Sequence, residues 1–552
     1  MEDTLSDLRR KWLYLFIGLA ALINFSGLFV TIIGPDGTLY ATIAKTMAVT
    51  NNFTELFAEG KDWLDKPHFP FWMAALFFKA FGYTSWAYKL PAVLFVLMAA
   101  WYTYKLAIEL YTEEIALWSA LILLTSQHLI LSNMDVRAEP YLTGLLIASV
   151  YHFYKSQRKE WFLHLVLGAL FAACAVMTKG IFALIPVFGA VAGNLIVKKQ
   201  WSMLFNFRWL LAVFMIFIFL LPELWCLYVQ FDAHPEKVIF GQTNVSGLKF
   251  FFWDSQFGRF FNTGPIKKSN GDPSFFLHTT LWAFLPWSIL FYVAVVQFFR
   301  ARIKNAEKEW LCICGAGLTF LIFSASKFQL PHYITIIFPF FSILTAQYIC
   351  RIESERSFLL VTKVQGTVGF LMTLIILLLN KFFNPDFSAI AVVLLLFTLA
   401  LFIISLYFIK DSFRVFYLTV VVVLFVNIYF NLVYYPALTL YQSDSQAAFW
   451  LNKYNTKHLP LVKVNNNYFH AIDFYSNQAV LDYLPGEEHL LPAKPYILFA
   501  ETETIDQMRK AGVKLESLKT FESFQITRVN AKFLNYNRRK EVINTSQLVL
   551  IK

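Results

Sequence analysis

Arg9-Arg10-Lys11 is followed by WLYLFIGLAALINFSGLFVTII over Trp12–Ile33, and that run breaks at Gly34-Pro35-Asp36-Gly37. An uninterrupted apolar run of this length crosses a ~30 Å hydrocarbon core as a helix. The basic cluster before it places the N-terminus in the cytoplasm, so Asp36 emerges on the opposite side. The run exceeds a signal-peptide core and lacks a small-residue cleavage site, which predicts a retained first helix.

Comparable runs recur near 87–107, 115–131, 137–154, 161–178, 180–197 and 208–229, then near 279–300, 309–325, 332–350, 360–380, 388–409 and 413–434. Together they predict an α-helical polytopic membrane protein with about thirteen spans. Composition agrees. Of 552 residues, 58% are hydrophobic and only 15% charged, more apolar surface than a soluble fold of this length can bury. The net charge of +11 does not point to nucleic acid. The basic residues cluster at 9–11, 155–159, 198–199, 300–308, 351–356 and 410–414, on alternate loops, where they set topology. One loop runs against this pattern, since 108–114 carries Glu109, Glu113 and Glu114. Cys174, Cys226, Cys312, Cys314 and Cys350 lie in or beside the spans and read as small buried hydrophobes.

This topology predicts a transmembrane domain over 1–435 with two long outer loops, 34–86 and 230–278, and a small soluble α/β domain over 436–552 outside the membrane. Within the first loop, Thr38–Val49 and Phe69–Phe81 read as interfacial helices anchored by Trp63, Phe69, Phe71 and Trp72.

Charged clusters break the apolar pattern, and all fall on the outer face. Charges beside hydrocarbon are costly, so their convergence marks a candidate site. Asp36 suits a general base, a metal ligand or simply a turn and helix cap. Lys66, in Asp65-Lys66-Pro67-His68, is a phosphate contact or a snorkelling lysine. Asp135 and Arg137, in Met134-Asp135-Val136-Arg137-Ala138-Glu139, allow a site or a local ion pair. Lys179 in Thr178-Lys179-Gly180, and Lys327 in Ser326-Lys327 ahead of Pro331-His332-Tyr333, are lysines on the side where the charge bias disfavours them. Arg259 and the Lys267-Lys268 pair are weaker candidates in the second loop. Asp65, His68 and His278 are the candidate ligands for a divalent metal, which the sequence does not require. Lysines and aspartates gathered beside lipid fit an anionic, membrane-anchored substrate such as a polyprenyl phosphate.

The order Pro-Asp-x-x-x-Tyr (Pro35–Tyr40), Asp-Lys-Pro-x-x-x-x-Trp (Asp65–Trp72), Thr178-Lys179-Gly180 and Ser326-Lys327 with Pro331-His332-Tyr333 resembles the lipid A aminoarabinose transferase and protein O-mannosyltransferase superfamily. Motifs carry this resemblance over about 1–350. It implies a GT-C fold and a glycosyltransferase that draws sugar from a polyprenyl phosphate carrier. It further implies Asp36 as the catalytic acidic residue and Lys66, Lys179 and Lys327 as donor-phosphate contacts with Tyr333 nearby; Arg259 of the second loop joins those contacts on its charge alone. Asp65, Asp135, Arg137 and His332 then act in support. Gly37, Leu39 and His68 depart from the superfamily pattern, so the sugar and the acceptor (lipid A, glycan or protein) stay open. The expected setting is a bacterial inner membrane, with a monomeric chain. The alternatives are a flippase for lipid-linked sugars, which would want midplane charges and inverted repeats, and a polysaccharide ligase or polymerase.

Overall fold

A computed structural model describes residues 6–158, 160–266, 271–300, 309–464, 468–484 and 488–552. Lys267 and Lys268 lie outside the described residues. Every apolar run named above is helical over most or part of its length, and the chain is a multi-pass helical protein with a C-terminal sheet. Among the described residues, seven helices are long and apolar enough to cross a bilayer, or eight if one pair bent by 49° counts as a single span. The remaining runs form shorter or broken helices, because the sequence places breakers inside them. Thr125-Ser126 bends Glu113–Leu124 against Gln127–Met134, and Pro286 lies between Phe275–Ala283 and Ser288–Arg300.

The first run departs most from expectation. Its helix, Asp7–Phe25, ends well before Ile33. Buried Asn24 turns its amide to the carbonyls of Ala20 and Leu124, at 2.6 and 3.1 Å. The following turns are held by Lys89, whose fully buried ammonium donates to the carbonyls of Gly27 (3.0 Å) and Val30 (2.7 Å). Gly34 then adopts φ +77°, where a Cβ would also meet Thr527 at 2.7 Å. Pro35 starts the next helix, Gly34–Thr50. This short unwound passage delivers Asp36 to the first turn of a new helix.

The acidic loop at 108–114 also finds its reason. Glu114 binds Arg9 at 2.7 Å, Glu113 binds Arg10 at 2.7 Å, and Glu109 binds both Lys155 and Arg158 at 2.7 Å. The acids are counter-ions to the basic groups of their own face.

In the first loop, helices Gly34–Thr50 and Phe69–Phe81 are joined through a hairpin of β1 (Phe57–Ala58) and β2 (Lys61–Asp62). Phe69 and Phe71 are buried rather than facing lipid, because the two helices pack on the bundle through that side. The C-terminal sheet contains β3 (Leu461–Val464), β4 (Val480–Tyr483), β5 (Tyr496–Glu501), β6 (Leu515–Ser523) and β7 (Asn544–Ile551) in the order β4-β3-β5-β7-β6. Its β3-β4 and β3-β5 pairs are parallel and the others antiparallel. Alternating side chains feed two cores. Leu461, Ile497 and Leu548 pack with Ala447 and Leu451 of helix Ser443–Tyr454 on one face; Val462, Leu498 and Val549 pack with Ile505 of helix Thr502–Lys510 on the other.

The sheet domain clasps the first loop. Tyr475 accepts from the Ile32 N–H at 2.8 Å, and Lys45 donates to the carbonyls of Asp473, Phe474 and Ser476 at 2.7–3.0 Å. Lys463, 1% exposed, binds Glu59 at 2.5 Å and Asp473 at 2.6 Å. Burial opposes the Glu59 charge, but His470 and Lys463 outweigh it and hold the carboxyl down to about 2. A buried ammonium removed from such a cluster leaves its acids uncompensated. Lys463→Met is therefore expected to cost ~3–5 kcal/mol, read as a lower thermal midpoint and faster proteolysis of the C-terminal domain in detergent. Unchanged values for both would show that the cluster does not hold the clasp.

Candidate active site

Asp36 occupies the first turn of helix Gly34–Thr50, with its side chain half exposed. Arg137 donates to it at 2.8 Å and to Asp135 at 3.2 Å. Both Asp135 and Arg137 lie in the break between helices Gln127–Met134 and Glu139–Lys155, where Pro140 restarts the chain as a helix. One guanidinium thus fixes two carboxylates from different segments. Burial lifts Asp135 above the ordinary carboxylate range despite Arg137, while Asp36 stays accessible.

Asp65 is the second hub. It pairs with Lys66 at 2.6 Å and with Arg259 of the second loop. Burial works against its charge, but the two cations prevail and hold its carboxyl low. The Lys66 ammonium is drawn below its usual range, because burial outweighs the attraction of Asp65.

Lys179 ends helix Trp161–Lys179. It pairs with buried Glu139 and stands 3.6 Å from the centroid of the Tyr333 ring, a cation–π contact. His332 approaches Glu139 at 3.8 Å. The break after Lys179 requires glycine. Gly180 has φ +89°, and a Cβ there would lie 2.1 Å from Gln256, whose amide bonds the Lys179 carbonyl (3.2 Å) and the Phe182 N–H (3.3 Å). Gln256 therefore ties the second loop to the Lys179 hairpin.

These hubs border two adjoining pockets. One is lined by Lys179, Arg259, Tyr333, Ser326, Phe328 and Phe182, the other by Lys66, Arg137, Tyr40, Tyr141 and Thr178. Asp65 joins them through its bonds to Lys66 and Arg259. Lys66, Arg137, Lys179 and Arg259 each already have a carboxylate. Yet an ammonium carries three N–H groups and a guanidinium five, so each pair keeps donors for an arriving anion. The carboxylates hold the cations in place without exhausting them.

Lys327 is drawn in less than expected. It lies exposed between pocket-lining Ser326 and Phe328, and its backbone N–H donates to the Phe260 carbonyl at 3.0 Å. The candidate metal ligands are not brought together. Fully buried His68 is bonded through Nδ1 to Glu223 (3.0 Å) and through Nε2 to the Thr54 carbonyl (3.1 Å). Asp65 is held by its two cations, and His278 stands beside Asp272 at 3.8 Å. Among the described residues, the metal-competent cluster is instead Glu59, His470 and Asp473, where Lys463 already supplies positive charge. Two participants escaped the sequence reading. Glu139 was legible only as part of a charged run, although Glu-Pro opening a span was its signal. Gln256, a neutral residue in a long loop, gave none.

The family model described as dolichyl-phosphate-mannose-protein mannosyltransferase matches residues 65–225. An uncharacterised protein of Aquifex aeolicus is 27% identical over 394 residues, covering 71% of this chain and 74% of its own length. The undecaprenyl phosphate-α-4-amino-4-deoxy-L-arabinose arabinosyl transferase of Edwardsiella ictaluri is 28% identical over 348 residues, 62% of this chain. The match spans only 59% of that transferase. The crystal structure of ArnT from Cupriavidus metallidurans bound to undecaprenyl phosphate superposes with a TM-score of 0.74, over 98% of both chains, at 17% identity. Its apo form gives the same TM-score over 99% of this chain. The fold is therefore shared from end to end, including the C-terminal sheet domain.

Proposed function

We propose that this chain, a membrane glycosyltransferase of the GT-C type to which the aminoarabinose and protein mannosyl transferases belong, moves a sugar from a polyprenyl phosphate to an acceptor hydroxyl or phosphate at the Asp36 face. The observation that carries this reading is the convergence of Lys66, Lys179 and Arg259, each held by a carboxylate, on pockets that adjoin accessible Asp36.

The acceptor oxygen attacks the anomeric carbon as the bond from that carbon to the phosphate oxygen breaks, inverting the configuration. The transition state has oxocarbenium character, as in other glycosyl transfers. The leaving polyprenyl phosphate carries away the electron pair and becomes a dianion. It therefore needs positive charge more than a proton, and spare N–H groups on Lys66, Lys179 and Arg259 supply it. Asp36 takes the proton of an acceptor hydroxyl; for an acceptor phosphate it positions the oxygen instead. Arg137 keeps that carboxylate oriented. Tyr333 shapes the phosphate pocket and steadies Lys179, while exposed Lys327 is left to guide the anion inward. Asp65, Asp135 and His332 act on the cations and on Glu139, not on the sugar.

The acceptor is lipid A, a surface glycan or a protein. The setting we assign is a bacterial inner membrane, N-terminus inside and the C-terminal domain in the periplasm, with one chain sufficient for the site. A flippase reading is disfavoured by where the charges fall, since they occur at helix ends and breaks. Purified chain reconstituted with radiolabelled polyprenyl phosphate sugars and bacterial lipid, glycan or protein fractions is expected to form labelled product together with free polyprenyl phosphate. Movement of the donor between leaflets without product would establish the flippase instead. Product formed only when polyprenyl pyrophosphate-linked sugars replace these donors, with release of polyprenyl pyrophosphate, would establish the ligase or polymerase.

A further inference from the structure

On the face that carries Arg9, far from Asp36 along the first helix, a cleft runs between helices Glu355–Phe383, Ala389–Phe408 and Arg414–Tyr429. It has two compartments. The inner is an apolar groove of about 750 Å³ lined by Phe370, Leu395, Leu399, Phe402, Val422 and Phe425. The outer is a polar mouth of about 860 Å³. Val415 and Leu418 line both, so the compartments are continuous.

Polarity changes along the cleft in a definite order. Deep in the groove, Thr373, Thr398 and Thr419 spend their hydroxyls on carbonyls of their own helices at 2.7–3.0 Å, leaving no free donor there. At the junction the opposite holds. Thr362 Oγ1 and Gln365 Oε1, one helical turn apart on Glu355–Phe383, are buried without hydrogen-bond partners among the described residues. Thr362 lines the mouth, and Gln365, 1% exposed, lines the groove. A buried polar atom left unpaired costs about 1–3 kcal/mol. Gln365 already donates through Nε2 to the Pro286 carbonyl at 3.3 Å, so the Thr362 hydroxyl marks the place where a ligand is to supply an acceptor. The mouth carries both signs of charge. Lys410 and Arg414 face Glu353 and Glu355 around it, while Asp411 is taken by Arg9 at 2.5 Å.

We propose that this cleft binds one glycerophospholipid with a zwitterionic amine headgroup: acyl chains in the Phe370–Phe425 groove, a glycerol ester carbonyl accepting from the Thr362 hydroxyl, and the headgroup in the mouth. The phosphate meets Lys410 and Arg414, and the ammonium meets Glu353 and Glu355. The sequence of charged, polar-unpaired and apolar surfaces matches that of the lipid. A purely anionic lipid would leave the two glutamates facing negative charge. A soluble ligand would have no use for the groove.

Native mass spectrometry of the full chain, purified in detergent and titrated separately with phosphatidylethanolamine and phosphatidylglycerol, tests this. One phosphatidylethanolamine is expected to stay bound at collision energies that strip the rest, with phosphatidylglycerol retained at least five-fold less. Gly366 lines the groove and has open space at its Cβ, so Gly366→Phe is expected to reduce retention at least ten-fold. Thr362→Val is expected to reduce it several-fold, and Glu353→Gln to narrow the preference over phosphatidylglycerol. Equal retention of both lipids by the wild type would overturn the headgroup assignment. Retention unchanged in Gly366→Phe would overturn the location. If Gly366→Phe does not yield monodisperse protein, unchanged retention in both Thr362→Val and Arg414→Gln overturns the proposal.

Discussion

Asp36→Asn is expected to lower the rate of sugar transfer by about 10²–10⁴-fold, the range general acid–base groups contribute, while carrier binding changes little. The substitution keeps an oxygen that Arg137 can reach, so the 2.8 Å contact has a neutral successor and the first turn of helix Gly34–Thr50 is preserved. It removes the basicity and the negative charge. The proposed phosphate contacts lie on other segments, Lys66 ahead of helix Phe69–Phe81, Lys179 at a helix end and Arg259 in the second loop. Single-turnover transfer beside equilibrium binding of a polyprenyl phosphate separates the two effects. Asp135→Asn is the control. It also bonds Arg137 but is less accessible, so a smaller loss of rate is expected. Full activity in Asp36→Asn would remove Asp36 from the chemistry, and an equal collapse of binding would make it a structural residue.

The parts of this site legible in the sequence were those where polarity interrupts a hydrophobic pattern. Asp36 follows an apolar run, Lys179 sits at a hairpin tip beside glycine, and Asp65-Lys66-Pro67 stands between aromatic stretches, so each is an anomaly that bilayer energetics makes conspicuous. Helix breaks were harder to place. Asn24 and the Lys89 ammonium end the first helix by bonding carbonyls across the bundle, and hydropathy registers neither. Pairing was invisible. The bond from Arg259 to Asp65 joins residues 194 positions apart, and Glu139 meets Lys179 across 40. Lys327 shows the converse: its charge was as conspicuous as that of Lys179, but the chain at 326–328 turns that side chain outward. A charge anomaly locates a face of the bundle. Contacts across the bundle decide which charges enter the pocket.

Those contacts make Arg259 the cation of the proposed phosphate site whose loss is expected to cost most. Its guanidinium is the link between the second loop and Asp65, it lines the pocket shared with Lys179 and Tyr333, and its side chain is only 14% exposed. Arg259→Met keeps the length and apolar stem but removes five donors. Two losses follow. On the proposed reading the leaving phosphate loses a guanidinium partner, and Asp65 is left to Lys66 alone, which draws that ammonium away from the donor. Truncating one member of a buried charged pair costs about 2–5 kcal/mol, so polyprenyl phosphate affinity is expected to fall by about 30- to 4,000-fold, with transfer falling at least as much. Arg259→Lys restores the charge without the planar fork and is expected to recover affinity only in part. The double variant Asp65→Asn with Arg259→Met distinguishes the two losses. Removing the carboxylate releases Lys66, so binding should recover relative to Arg259→Met alone if competition for Lys66 contributes. No recovery would assign the whole effect to direct phosphate contact. Wild-type affinity in Arg259→Met would exclude Arg259 from the donor site and leave the carrier phosphate to Lys66 and Lys179.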